Sequence, residues 1–142
     1  MKGTPEERFW NKVGPHSDPS LCWIWLAGFR QSHGLKYGVF GISRGRGIYA
    51  HRFVYELLVG PIPKGMTIDH VKARGCTNTL CVNPAHLEIV TRRENILRGT
   101  GISAINARKT HCKRGHPFNK TNTYNPPNGG RKCRACKRID VK

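Results

Sequence analysis

Hydrophobic and polar positions change period several times along the chain, and each change marks an element. Thr4-Pro5-Glu6-Glu7 opens a helix: Thr4 caps it, Pro5 suits the first helical position, and Glu7 completes a capping box. Phe9, Trp10 and Val13 form its buried side, and Gly14-Pro15 ends it. Residues 21–50 read as β. Leu21-Cys22-Trp23-Ile24-Trp25-Leu26 is a short apolar, aromatic run. Tyr37–Ile42 and Ile48–Ala50 flank the turn Ser43-Arg44-Gly45-Arg46-Gly47, and Gly-rich turns between β-formers predict hairpins. The period then lengthens. In His51–Val59, Phe53, Leu57 and Leu58 recur at one-turn spacing and predict a helix. Gly60-Pro61-Ile62-Pro63-Lys64-Gly65 forces a turn. Met66–His70 and Leu87–Val90 are short strands, and Thr91-Arg92-Arg93-Glu94 is a second capping box opening a helix to about Arg98. Residues 99–110 read as a flexible basic linker.

Composition narrows the class. The chain has 142 residues, 37% of them hydrophobic, which is enough for a modest core and too much for a disordered basic tail. No apolar run approaches the roughly 20 residues of a membrane span. No apolar stretch follows the first Met, so the expected compartment is intracellular, the bacterial cytoplasm if the gene is carried by a phage. Lys and Arg number 25 against 8 Asp and Glu, a formal net charge of +17. That excludes an ordinary neutral metabolic enzyme and points to a polyanionic partner. The excess is uneven. Residues 1–90 hold 11 basic and 6 acidic residues, whereas residues 91–142 hold 14 and 2. Arg30, Lys36, Arg44 and Arg46, with Gln31 and His33, decorate the hairpins, and a basic ribbon of this kind fits the DNA major groove. Arg92 and Arg93 are further candidates for DNA contact.

Six cysteines in a reducing compartment read as metal ligands before disulfides. Cys112-x3-His116 with Cys133-x2-Cys136 supplies four zinc ligands by itself. Cys76-x4-Cys81-x4-His86 supplies three, and Cys22 completes a second set. The plainer alternative for Cys22 is a buried free thiol. His16, His33 and His111 lack partners at ligand spacing. Residues 111–138 hold too few apolar groups for a core and are expected to fold only with metal.

Asp69-His70 ends one strand and Asn95 lies on the helix after the next. Carboxylate, imidazole and amide at a strand–helix junction suit metal-assisted phosphodiester cleavage. Oxygen ligands hold one hard divalent ion, Mg2+ or Mn2+, and a neutral imidazole takes a proton from water. Arg52 and Arg74 lie nearby in sequence and read equally well as simple phosphate contacts.

His51-Arg52, Gly60-Pro61-Ile62-Pro63, Asp69-His70, Asn83-Pro84-Ala85-His86-Leu87 and Thr91-Arg92-Arg93-Glu94-Asn95 together resemble the HNH, or ββα-metal, nucleases of phages and mobile introns. Phe9-Trp10 and Cys22-Trp23-Ile24-Trp25 resemble the N-terminal region of phage members. The resemblance implies that His70 is the general base and that Asp69 and Asn95 hold the metal. One position departs. Nine residues before Asn95 the family usually has Asn, and here it is His86. That version resembles the His-Cys box homing endonucleases, in which Cys-x4-Cys-x4-His donates to structural zinc and a helical Asn holds the catalytic ion. It supports Cys22, Cys76, Cys81 and His86 as one zinc site, with Cys112, His116, Cys133 and Cys136 as a second. His86 orienting His70 is the alternative. If His86 binds zinc, another group, a backbone carbonyl, must orient His70.

The expected fold class is α+β: a small zinc-stapled ββα-metal nuclease core with an N-terminal antiparallel sheet and a C-terminal zinc module. The expected divisions are residues 1–50, 51–98, 99–110 and 111–142. The expected function is a metal-dependent HNH endonuclease on double-stranded DNA that leaves 5′ phosphate and 3′ hydroxyl ends. A monomer nicks, and a symmetric homodimer cuts both strands. A non-catalytic zinc-stapled DNA-binding regulator accounts for charge, zinc and ribbon, but leaves Asp69, His70 and Asn95 together without a reason. An RNA-binding zinc protein lacks an obvious stacking platform, because the aromatics are spent on the core.

Overall fold

The computed structural model describes residues 3–139. The chain forms two compact units that divide between Asn95 and Ile96. In the first unit, α1 (Pro5–Trp10) starts at the capping box: Glu7 N–H donates to Thr4 Oγ1 at 3.2 Å, and Thr4 N–H to Glu7 Oε2 at 2.8 Å. The helix stops at Asn11, short of Gly14-Pro15, and Val13 enters the core from the turn beyond it.

β1 (Phe29–Ser32), β2 (Leu35–Ser43) and β3 (Arg46–Tyr49) form an antiparallel meander. The β1–β2 turn uses His33 at φ 50° and Gly34 at φ 79°, the positive-φ pair that matches strand twist. β1 is exposed throughout, and only the middle of β2 reaches the core. α2 (Ala50–Leu58) leaves β3 without a loop. It buries Ala50, His51 and Val54, while Leu58 is 52% exposed. Of the residues at one-turn spacing, Phe53 packs against the core and Leu57 is half-buried, while Leu58 faces out and the fully buried positions are Ala50, His51 and Val54. With no loop to absorb a rotation, the direction of β3 sets which face turns inward.

β4 (Met66–His70) and β5 (Leu87–Thr91) pair antiparallel, with Asp69 opposite Glu88 and His70 opposite Leu87. Short 3₁₀ turns at Lys72–Arg74 and Pro84–His86 punctuate the loop between them. α3 (Arg92–Arg98) follows β5 directly, capped as the sequence predicts, with Glu94 N–H donating to Thr91 Oγ1 at 3.1 Å.

The core is aromatic. Phe9 lies 5.1 Å from Trp25, 5.3 Å from Phe40 and 4.9 Å from Phe53, centroid to centroid, and Phe40 and Phe53 are 4.6 Å apart. Such pairs add about 0.5–1.5 kcal/mol each beyond area burial. The run Leu21–Leu26 is no sheet strand. It is a strap held by single bridges, Val13 to Trp25 on one side and Ile24 to Cys81 on the other. Gly14 N–H donates to Ile24 O, Trp25 N–H to Leu80 O and Val82 N–H to Trp23 O, at 2.8–2.9 Å. Buried Asn83 anchors its start, donating to Pro19 O at 2.8 Å and Leu21 O at 2.7 Å.

In the second unit, α4 (Ile102–Arg108) occupies most of the segment expected as a flexible linker. Arg108 donates to Leu97 O at 2.8 Å and Gly99 O at 2.9 Å, and Arg131 donates to Asn106 O and Lys109 O while lying over the Phe118 ring. The segment is thus fastened to the rest of its own unit. β6 (Thr123–Tyr124) pairs with β7 (Lys132–Cys133), which runs into α5 (Arg134–Ile139). Ala104 and Cys133 are the buried hydrophobic residues described in this unit. The whole is α+β.

The Trp25 indole presses on the backbone of β2. A Cβ at Gly38 would stand 2.5 Å from Trp25 Cδ1 and 3.2 Å from Ala50 Cβ. Gly38→Ala is therefore expected to cost about 1–3 kcal/mol by overpacking, read as a lower melting temperature. An unchanged melting temperature would show that Trp25 yields freely.

Candidate active site and metal centres

The strap decides the first Cys/His cluster. By pairing with residues 80–82 it carries Cys22 to Cys76, Cys81 and His86, whose ligand atoms all lie within 4.8 Å of one another. Cys22 Sγ is 3.6 Å and Cys81 Sγ 3.7 Å from His86 Nδ1. A tetrahedron around zinc has ligand–ligand edges of about 3.5–3.8 Å, so three thiols and one imidazole at these separations fit the ion. None of these cysteines is in a disulfide. The hydrogen bond with Cys81 lowers the Cys76 thiol to about 5 and raises that of Cys81, so the cluster already favours one thiolate.

The second cluster, Cys112, His116, Cys133 and Cys136, meets the same 4.8 Å limit. Cys112 Sγ is 3.5 Å and Cys136 Sγ 3.4 Å from His116 Nδ1, and the two sulfurs are 3.6 Å apart. A tight turn delivers the first pair, with Gly115 N–H donating to Cys112 O and Cys112 N–H to His116 O. Cys133 ends β7 and Cys136 lies on α5. The Cys136 N–H, ahead of an Asn122 contact, lowers the Cys133 thiol to about 6. Asn122 binds the cluster's surroundings together: it donates to Pro117 O at 2.7 Å and Cys133 Sγ at 3.3 Å, and accepts from Ala135 N–H at 2.9 Å. Among the described residues, these two are the groups able to hold a metal through three or more Cys, His, Asp or Glu ligands.

Asp69 and His70 close β4 at the edge of the first cluster. His70 Nε2 is 3.1 Å from Cys81 O. A carbonyl only accepts, so a neutral His70 donates from Nε2 and keeps the Nδ1 lone pair free. The His70 ring lies 5.0 Å from His51 and 6.2 Å from Tyr37. Burial first, then Tyr49 and the Asp69 charge, raise the Tyr37 hydroxyl above its usual value. His51 is buried, and burial, His70 and Arg52 hold its pKa down to about 3. Asn95 is half-buried on α3. His86 faces thiols, and Cys81 O takes the orienting contact to His70.

Arg30, Lys36, Arg44, Arg46, Arg92 and Arg93 are all exposed. Lys36 covers the Phe29 ring at 4.8 Å. Arg74 donates to Leu87 O at 3.1 Å and lies 3.9 Å from Glu88, which ties it to β5.

A family model described as HNH endonuclease matches residues 48–97, the segment that carries α2, β4, β5 and most of α3. The chain is 31% identical over 86 residues to the uncharacterized gene 5.3 protein of Enterobacteria phage T3, covering 81% of that protein and 58% of this one. The chain belongs to the HNH endonuclease family. It is also similar to two proteins of Escherichia phage T7. Protein 2.8 is 39% identical over 77 residues, covering 54% of this chain and 47% of that protein. Protein 7.7 is 31% identical over 75 residues, covering 52% and 51%. The chain thus spans about half the length of each T7 relative. No solved structure matches. Membership of the HNH family supports a nuclease function and implies DNA binding. No helix among the described residues is long and apolar enough to cross a membrane.

Sequence reasoning missed the roles of Tyr37, Tyr49, His51, Asn83 and Asn122. His51-Arg52 and Asn83-Pro84 stood out as motifs, and only the fold gives them partners. The Cys81 carbonyl has no side-chain signature at all.

Ala104 and Cys133 are a small buried apolar set, so the second unit is expected to rely on its Cys/His cluster for stability. Cys133→Ser is expected to remove amide-exchange protection over residues 111–138 while the aromatic core of residues 1–95 keeps its own. Retained protection in both units would show that the second unit has another source of stability.

Proposed function

We propose that this protein is a metal-dependent DNA endonuclease in which His70 is the general base. The observation that carries the reading is the contact of His70 Nε2 with Cys81 O, which orients the imidazole and leaves the Nδ1 lone pair available. In this reading His70 Nδ1 accepts the proton of a water as it attacks phosphorus in line. Asp69 and Asn95 hold one hard divalent ion, Mg2+ or Mn2+, which supplies charge neutralisation at the phosphate and the leaving 3′ oxygen. Bond cleavage then leaves a 5′ phosphate and a 3′ hydroxyl. One such site cuts one strand, so a monomer nicks and a symmetric homodimer cuts both.

The two Cys/His clusters hold structural zinc in this reading, two ions per chain from eight ligands. Residues 51–98 are the catalytic core. Residues 1–50 present Arg30, Lys36, Arg44 and Arg46 to the duplex, Arg92 and Arg93 add phosphate contacts at the start of α3, and residues 111–142 form a second basic DNA-binding module joined by residues 99–110. Phosphate contacts of this kind supply sequence-independent, salt-sensitive affinity.

Incubation with supercoiled plasmid tests the activity: relaxation with Mg2+ and none without it is expected. DNA binding with no cleavage under any divalent ion would favour the non-catalytic regulator. His70→Ala is expected to lower the rate roughly 10²–10⁴-fold with DNA affinity nearly intact. Asp69→Ala and Asn95→Ala are each expected to shift the Mg2+ titration upward. Wild-type titrations in both would remove those residues as ligands.

Elemental analysis of the folded protein is expected to give two zinc ions per chain. Cys81→Ser should destabilise the first unit as a whole, because its cluster ties the strap to the β4–β5 loop. His86→Cys should retain zinc and much of the fold. One zinc per folded chain would overturn the Cys22–Cys76–Cys81–His86 site.

A further inference from the structure

We propose that His51 is a further catalytic residue, a neutral hydrogen-bond donor to a non-bridging oxygen of the phosphate that His70 serves. The inference rests on the nuclease reading above and adds a role that neither the spacing nor the metal clusters required.

His51 is 8% exposed. Its ring stacks on Tyr49 at 5.5 Å and 17°, and meets His70 edge-on at 5.0 Å and 69°. Tyr37 closes a third side at 6.2 Å. A position that needed only an aromatic plate in this cage would be filled better by Phe, because burying an unpaired polar atom is unfavourable. His51 Nδ1 is such an atom: it is sealed from solvent with no hydrogen-bond partner. Of the two ring nitrogens, Nδ1 alone is both sealed and unpartnered among the described residues. An unpartnered group of this kind in a native site calls for a reason.

The sealed nitrogen also fixes the tautomer. Orphaned buried N–H groups are rarer than under-satisfied acceptors, so Nδ1 keeps the lone pair and Nε2 carries the hydrogen. The Nε2–H tautomer is also the intrinsically favoured form of neutral imidazole. Charge is excluded on independent grounds. His51 is the second residue of α2, where the positive end of the helix opposes a cation, and His70 and Arg52 are its neighbours. The same end of α2 has no side-chain cap and favours an anion nearby. The result is a preoriented, uncharged N–H one ring away from the general base. Such a donor can meet charge as it develops on phosphate without competing with His70 for the proton.

The test uses the full chain. Single-turnover nicking is compared for wild type, His51→Phe, His51→Gln and His51→Asn, with DNA affinity and melting temperature measured alongside. His51→Phe keeps the ring packing and removes the donor, and should lose roughly 10²–10³-fold in rate with affinity little changed. Glutamine places an amide N–H near the Nε2 position and should recover part of that loss. Asparagine reaches only the Nδ1 position and should not. Nitrogen-15 spectra of the free wild-type imidazoles provide a readout that needs no variant to fold: Nε2 of His51 should be protonated at neutral pH and Nδ1 bare. A His51→Phe rate equal to wild type, or an Nδ1–H tautomer, overturns the proposal. Absence of nicking by wild type with any divalent ion sinks the nuclease reading and the role built on it, whatever the tautomer.

Discussion

One residue, Cys81, joins two parts of the molecule that the sequence keeps apart. Its sulfur belongs to the cluster with Cys22, Cys76 and His86, and its carbonyl accepts from His70. A carbonyl is only as fixed as the backbone that bears it. Here the backbone is held by the bridge to Ile24, by Val82 N–H on Trp23 O and by the Asn83 N–H on Cys81 Sγ at 3.4 Å. A metal on the four ligand atoms would lock the same segment further. The stability of the cluster and the orientation of His70 are therefore one constraint.

That constraint explains why a small chain spends Trp23 and Trp25, and a buried Asn83 beside them, on what looks like a loop. The strap Leu21–Leu26 lies between the turn after α1 and the loop after β4, and Trp25 pins it to the aromatic core. Asn83 satisfies the carbonyls of Pro19 and Leu21 where no regular strand could. The first unit thus couples an apolar core to its Cys/His cluster through one segment. The second unit has no comparable core. It substitutes short-range ties, Asn122 around the cluster and Arg131 across to α4, for buried apolar area.

The strong positive charge acts on top of this frame. It makes the compact state repel itself and any polyanion attractive. Exposed basic side chains on the β1–β2–β3 meander and on α3 suit phosphate contact, whereas Arg74 is drawn back onto β5 by Leu87 and Glu88. In the proposed mechanism these roles divide cleanly: surface cations give affinity, and Asp69, His70, Asn95 and His51 give chemistry.

Much of this was legible in the amino-acid sequence. Capping boxes at Thr4 and Thr91 are local, three-residue chemistry, and both formed. The Gly-rich turns, the β4–β5–α3 order and the set Cys112, His116, Cys133 and Cys136 also follow from spacing, because turn geometry and tetrahedral ligand sets tolerate few alternatives, whereas spacing alone left Cys22 open until the strap brought it to Cys76, Cys81 and His86. What the sequence could not determine depended on neighbours distant along the chain. The aromatic run scored as a strand, yet its partners are single residues from two different loops. α2 presented Phe53, Leu57 and Leu58 at helical period, and Phe53 does pack in the core, yet the fully buried positions are Ala50, His51 and Val54 and Leu58 faces out. Residues 102–108 read as linker, yet Ile102–Arg108 is helical in a unit braced by Arg131 and Arg108. The orienting carbonyl of Cys81 and the sealed nitrogen of His51 are the clearest cases. Main-chain oxygens are alike in every residue, and a buried ring nitrogen has meaning only once the walls around it exist, so only the tertiary structure could single them out.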